Sequence, residues 1–318
     1  MLLRIDPWAP EYDAALQLVA DDAAEDTVEA LDLTVEVASW QPIIPKLTPR
    51  PLLWFVDGVR RVDLRVLTAE SQPLRYGVLG SLAVGAVRAA ERAEFDQPVV
   101  RRALVMGGGL LPDPIHISVE NGVVDFAGHP VADNTPEAPL AGLQALMRQA
   151  EADLAATLVG QGLVLVDGPL THLQPSPNVI VGYVKRMRRG YLPVTHAPLL
   201  VQLPAGARTP LFLLRDPAGR FDRYSWYVRL AEPGPVAHRL ASVVRLETWA
   251  AVGLQAARAA ADVTARYLPT LASTPDRDPR APQNLVPVGA LEHHLRHRLG
   301  DPQHIRRCLM RHLTEMAA

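Results

Sequence analysis

The sequence predicts a mixed α/β fold, a sheet flanked by helices, and three observations carry that expectation. Apolar runs of strand length crowd the region from Leu52 to Val87. A helical spacing of apolar residues follows through Leu143, Leu146, Ala150, Leu154 and Leu158. The continuous apolar run Leu163–Val166 then ends in Asp167-Gly168. Helix followed directly by strand makes the two pack together. With 318 residues the chain can bury a substantial core, and it shows no internal repeat or heptad. The expected organisation is a helical N-terminal extension over 1–45 and one α/β domain over 46–318, elaborated by extra strands and C-terminal helices.

Taken in order, Glu11 to about Leu31 has helical spacing with an acidic face. Strands are expected at Leu52–Val59, Val62–Thr68 and Arg75 to about Val87, an antiparallel meander with turns at Gly58 and Ser71-Gln72-Pro73. Extended pieces follow at Arg102–Met106 and Ile115–Val124, the latter a hairpin around Glu120-Asn121-Gly122. Thr135-Pro136-Glu137 opens the long helix and Gly160 ends it. Further strands are expected at Val179–Lys185, Leu199–Leu203, Leu211–Leu214, Tyr224–Leu230 and Val243–Glu247. Helices return at about Val252–Tyr267, Gly289–Leu299 and Pro302–Glu315, with Ala272–Gln283 an exposed, flexible loop.

Composition narrows the classes. A formal charge of −2 argues against a uniformly basic nucleic-acid binder, although acids crowd the first forty residues and Arg the last thirty. A lone Cys308 excludes an internal disulfide and is expected to be a buried thiol on a helix. Mean hydropathy is +0.06, and no run reaches the ~18 apolar residues of a membrane span. The opening residues lack a cleavage pattern, so a cytoplasmic location without membrane contact is expected.

The chemistry centres on two repeats of one device. Leu52–Val56 ends in Asp57-Gly58 and Leu163–Val166 in Asp167-Gly168, each an apolar strand delivering a carboxylate. Asp before Gly is common in plain turns for local hydrogen-bonding reasons. Two such ends in one sheet, however, bring two acids together, which a divalent cation would reconcile. Glu151 on the intervening helix is the expected third ligand, with Arg148 one turn earlier to hold it or to meet phosphate. Lys185-Arg186-Met187-Arg188-Arg189 forms a basic strand end suited to a phosphate backbone, flanked by Tyr183 and Tyr191, which are able to stack on bases. Glu292-His293-His294-Leu295-Arg296-His297 lacks the order of a zinc motif; its histidines are either surface residues or one of them faces the acids. Gly107-Gly108-Gly109 is a turn rather than a Walker loop.

These segments resemble the NurA family of DNA-repair nucleases. The likeness is carried by Phe55-Val56-Asp57-Gly58-Val59-Arg60, the helix around Arg148 and Glu151, Leu165-Val166-Asp167-Gly168-Pro169-Leu170, the Gly182–Lys185 strand and Pro287-Val288-Gly289-Ala290-Leu291-Glu292-His293-His294. The resemblance implies an RNase H-like core, with Asp57, Glu151, Asp167 and His294 as metal ligands and Lys185 beside them. The expected DNA contacts are Arg60, Arg148, Lys185, Arg186, Arg188 and Arg189. A Mn²⁺ or Mg²⁺ site of two ions would serve 5′-to-3′ exonuclease and single-strand endonuclease activity in end resection. The implied partners are single-stranded DNA and duplex ends, a HerA-type hexameric ATPase and a second copy of the chain, in a nucleoid-associated setting.

Rival readings are an RNase H-fold ATP-binding protein of the actin or sugar-kinase type and a catalytically silent DNA-tethering adaptor. Against the first, Pro169-Leu170 stands where a Gly/Thr/Ser-rich phosphate loop would follow the second Asp-Gly.

Overall fold

The computed structural model describes residues 3–5, 30–46, 49–68, 73–96, 98–120, 122–185, 190–233 and 238–317, with backbone alone at 3–5 and 317. Most of the expected acidic helix over 11–31 lies outside these residues, as do Arg186, Arg188 and Arg189.

Strands β1 (Leu3–Ile5), β2 (Ala30–Asp32), β3 (Leu53–Thr68), β4 (Tyr76–Ala89), β5 (Ala93–Phe95), β6 (Val99–Met106), β7 (Ile115–Val119) and β8 (Gly122–Pro130) precede the long helix α1 (Ala138–Leu158). After it come β9 (Leu163–Asp167), β10 (Ile180–Val184), α2 (Pro198–Gln202), β11 (Phe212–Arg215), β12 (Arg223–Arg229) and β13 (Val243–Trp249). Helices α3 (Leu254–Tyr267), α4 (Val286–Arg298) and α5 (Pro302–Ala317) close the chain. The strands make one 13-stranded mixed sheet in the order β2-β11-β12-β13-β10-β9-β3-β4-β6-β8-β7, with β1 paired to β3 and β5 to β4. Pairing is parallel at β3–β9, β9–β10 and β6–β8 and antiparallel elsewhere. Within the expected helical extension 1–45, the described β1 and β2 join this sheet.

Two layers cover the sheet. Val56, Val62, Val84 and Val166 pack with Leu140, Leu143, Met147 and Ala150 of α1. On the opposite face Phe55, Val59, Leu165, Val181 and Tyr183 pack with Val288, Leu291 and Leu295 of α4 and the Ala257-Ala260-Ala261 stripe of α3. The alternation of β3 and β9 between these clusters is the period-2 pattern of strands buried on both faces, which is why both read as unbroken apolar runs.

Three local expectations are corrected. Gly58 is no turn: β3 runs through it as a single strand, interrupted only by a register shift between Val62 and Leu64. The bulged Asp63 re-aims the strand, so Leu64 and Val66 pack against Ile305, Leu309 and Leu313 of α5. Leu199–Leu203 is not a strand, because Pro198 starts a helix there; a five-residue apolar run does not distinguish the two by period. The loop before α4 is hydrogen-bonded rather than a bare linker, with Asp278, Arg280 and Asn284 tied to one another.

Candidate metal centre

The register of two parallel strands sets the centre. The β3–β9 ladder ends at Val56↔Val166, so Asp57 and Asp167 are the next residues on neighbouring strands. Alternation turns both toward α4. Gly85, cross-strand from Asp57, faces Leu291 and Leu295, and a Cβ there would stand 3.0 Å from Leu295 Cδ2. Tyr183, paired with Asp167, sits in the same apolar layer and donates its hydroxyl to Gln283 O at 2.6 Å. At Gly168 the backbone leaves the strand with φ of 95°, which a glycine adopts freely.

Helix α4 brings a third carboxylate that the sequence reading passed over. One ligand atom from each of Asp57, Asp167 and Glu292 lies within 4.8 Å of the others. Glu292 sits beside the buried stripe Val288-Leu291-Leu295, and a buried acid adjoining an apolar stripe is the signal that could have singled it out. His294 is two residues on, about 200° round the helix. It stacks on Phe95 instead, centroids 4.8 Å apart and planes within 2°. The expectation that His294 completes the acid cluster is thereby corrected: the helical repeat turns residue 292, not 294, toward Asp57.

Glu151 reaches the centre from the other layer. Its carboxylate lies over Gly58, where an added Cβ would be 2.6 Å from Oε1 and 2.9 Å from Met147 Cγ. The glycine therefore serves helix approach. Arg148 Nη1 donates to Glu151 Oε2 at 2.9 Å and to Asp167 O at 2.9 Å, lashing α1 to the end of β9. Glu151 is thus brought beside the acid trio but not into it, and Arg148 is spent on internal partners rather than turned out to phosphate. Arg60 donates to Gln144 on α1.

Lys185 follows β10 and donates to Asp167 Oδ2 at 2.8 Å and to Asn284 Oδ1 at 2.9 Å; its ammonium is 4.0 Å from Glu292 Oε1. Opposing charges outweigh burial, so its pKa rises and it stays cationic. Lys185 and Gln283 also line a cavity of about 580 Å³ with Leu192, Leu200, Tyr227 and His238. Tyr183 is core, and Tyr191 packs under Arg245 with the guanidinium 4.8 Å from its ring centre.

Burial, then the neighbouring Asp167, push the Asp57 carboxyl well above its usual range, with Lys185 pulling the other way. Burial likewise raises Glu151 against the pull of Arg148. Asp57 Oδ1 accepts from Gly58 N at 2.8 Å, whereas Oδ2 and Glu151 Oε1 are buried with no hydrogen-bond partner among the described residues. A buried polar atom left so calls for a ligand, since such groups are costly unpaired. The donors are all hard oxygens, the set that Mg²⁺ and Mn²⁺ take. Oxygens on opposite sides of one such ion stand about 4.2 Å apart, so the trio needs little closing.

Neither the family models nor the curated proteins compared with this chain match it. Among the described residues, no helix is long and apolar enough to cross a membrane.

Proposed function

We propose that this chain is a metal-dependent DNA nuclease with an RNase H-like core, of the kind the NurA family represents. The observation that carries the reading is Asp57 Oδ2: buried, unpartnered, and grouped with Asp167 and Glu292 at the mouth of two parallel strands. The strand order β6-β4-β3-β9-β10, antiparallel then parallel and with α1 preceding β9, supports the RNase H-like assignment.

In this reading Asp57, Asp167 and Glu292 hold the divalent cation, with Glu151 close enough to serve a second ion from the α1 side. Bound divalent ions would supply activation of water and charge neutralisation on the leaving oxygen. Lys185, fixed by Asp167 and Asn284, offers a cation to a phosphate entering from the exposed side. Arg148 positions Glu151 and the backbone of Asp167. No side chain is required as a covalent nucleophile. The backbone after the second Asp-Gly is committed internally, with Leu170 N donating to buried Glu247 at 2.7 Å, which disfavours a nucleotide-phosphate loop there. A HerA-type ATPase, a second copy of the chain and resection of DNA ends belong to the same proposal and rest on the sequence resemblance alone.

The test is digestion of end-labelled single- and double-stranded DNA with Mn²⁺, comparing the parent with Asp57→Asn and Asp167→Asn. Metal-dependent cleavage by the parent that falls at least about 100-fold in both variants supports the reading, on the scale expected for losing charge stabilisation at a reacting centre. Undiminished cleavage by either variant overturns the site, and DNA binding without any cleavage turns the reading to the adaptor.

A further inference from the structure

Glu292 differs from the other two acids of the trio in being held by an arginine fork, with Lys185 at 4.0 Å and Arg296 at 3.9 Å as its more distant cations. Arg280, on the loop before α4, donates from Nη1 to Oε1 at 2.9 Å and from Nη2 to Oε2 at 2.7 Å. This planar fork occupies both carboxylate oxygens at once. The same guanidinium contacts Asp278 at 3.2 Å. Asp278 Oδ2 in turn accepts from Asn284 Nδ2 at 2.6 Å, and Asn284 Oδ1 accepts from Lys185 Nζ at 2.9 Å. Lys185 completes the path to Asp167. A continuous circuit thus links Asp167, Lys185, Asn284, Asp278, Arg280 and Glu292. It neutralises two of the three acids and bypasses Asp57 Oδ2.

Taking the metal reading as its premise, we propose that Arg280 is a counter-cation latch: it holds Glu292 in the metal-free protein and yields that carboxylate when a divalent cation enters. The geometry favours competition over simple support. A metal ion and the bidentate fork call on the same carboxylate oxygens, and two positive centres sharing one carboxylate repel. Arg280 is also able to let go. Its side chain is 47% exposed, whereas that of Glu292 is 11% exposed. Asp278 gives the released guanidinium a second seat: burial raises its pKa, but hydrogen bonds from Asn284 and from Arg280 outweigh burial and hold it down at about 2, so it remains anionic. Arg280 is accordingly a positioning residue whose removal tightens metal binding, the reverse of what a structural lesion does.

The full chain, without DNA, is titrated with Mn²⁺ while free aquo-Mn²⁺ is followed by electron paramagnetic resonance. The comparison covers the parent, Arg280→Gln, Arg280→Lys, Asp57→Asn, Glu292→Gln and the double variant Arg280→Gln/Glu292→Gln. Arg280→Gln is expected to bind about tenfold more tightly, equivalent to about 1.4 kcal/mol. Arg280→Lys, which keeps the charge but loses the fork, falls between parent and Arg280→Gln and serves in its place should the Gln variant fold poorly. With Glu292→Gln already present, the Arg280 substitution changes nothing. Binding that depends on Asp57 yet is unchanged or weakened by Arg280→Gln overturns the latch alone. Absence of Mn²⁺ binding in parent and variants alike overturns the metal reading and the latch together.

Discussion

Asp57 carries an unpartnered carboxyl oxygen at 4% exposure, and without a metal nothing compensates its charge fully. Its pKa is raised in the fold, first by burial and then by Asp167, so the folded state holds the proton more firmly than the unfolded chain. Folding is then penalised as pH rises past the unfolded value, and the penalty grows until pH passes the folded one. Asp57→Asn removes it. The metal-free variant is expected to melt above the parent at neutral pH, by roughly 2 °C for each 1 kcal/mol relieved. The difference should narrow toward about pH 4, where the carboxyl is protonated in the folded state and already about half protonated in the unfolded one. Calorimetric scans between about pH 4 and 8 in a chelator decide this; a variant less stable at neutral pH, or a gap indifferent to pH, contradicts the account.

At the scale of elements, the separation of α1 from β3 depends on Gly58 lacking a side chain. Gly58→Ala puts a methyl 2.6 Å from Glu151 Oε1 and 2.9 Å from Met147 Cγ, so the Glu151 and Met147 side chains of α1 must give way. The expected cost is about 1–3 kcal/mol, as for other overpacked cores, together with weaker Mn²⁺ binding. Gly190→Ala, with no atom of the described residues within 4 Å of its added Cβ, should leave melting unaltered and serves as the control. Equal melting of both variants would remove the spacing argument. Gly58 also marks where the sequence was legible and where it was not. Asp57 and Asp167 stood out because each closes an apolar run, and β9 was placed from its order after α1. The turn expected at Gly58 failed because local propensity carries no trace of a helix arriving from 93 positions away (151 − 58). Glu292 stayed hidden for a related reason. The adjacent histidines drew the chemical reading, while the clue lay in the apolar stripe Val288-Leu291-Leu295 that carries Glu292 inward. The cations Arg61 and Arg102 that donate to Leu299 O and Gly300 O at the end of α4 were equally invisible, since their pairing spans the chain.

Across the whole molecule, the buried ion pairs of the scaffold and the proposed metal centre are separate charged clusters. Buried Arg208 joins Glu36 through bonds of 2.9 and 2.9 Å and Asp262 of α3 at 2.6 Å, and Glu36 also accepts from Leu211 N at 2.6 Å. Burial raises the Glu36 pKa, but Arg208 and the Leu211 amide outweigh it and the net shift is downward. Its contribution is therefore present above the unfolded carboxylate value and lost as pH falls through the folded one, the opposite sign to Asp57. Glu36→Gln leaves Arg208 without its bidentate partner and is expected to cost about 3–5 kcal/mol, the range for breaking a buried pair, with the deficit narrowing in acid. On the proposed reading Mn²⁺ acts elsewhere. Binding only the folded state at ~100 times its dissociation constant adds about 2.7 kcal/mol, so the parent should melt several degrees higher with metal. The two clusters share no partner, so their effects should add. Glu36→Gln is expected to start lower yet gain the same increment from Mn²⁺, and Asp57→Asn to gain none. Thermal scans of the three proteins with and without Mn²⁺ separate scaffold from site. An increment retained in Asp57→Asn would put the ion elsewhere, and one abolished in Glu36→Gln would make the two clusters a single cooperative unit.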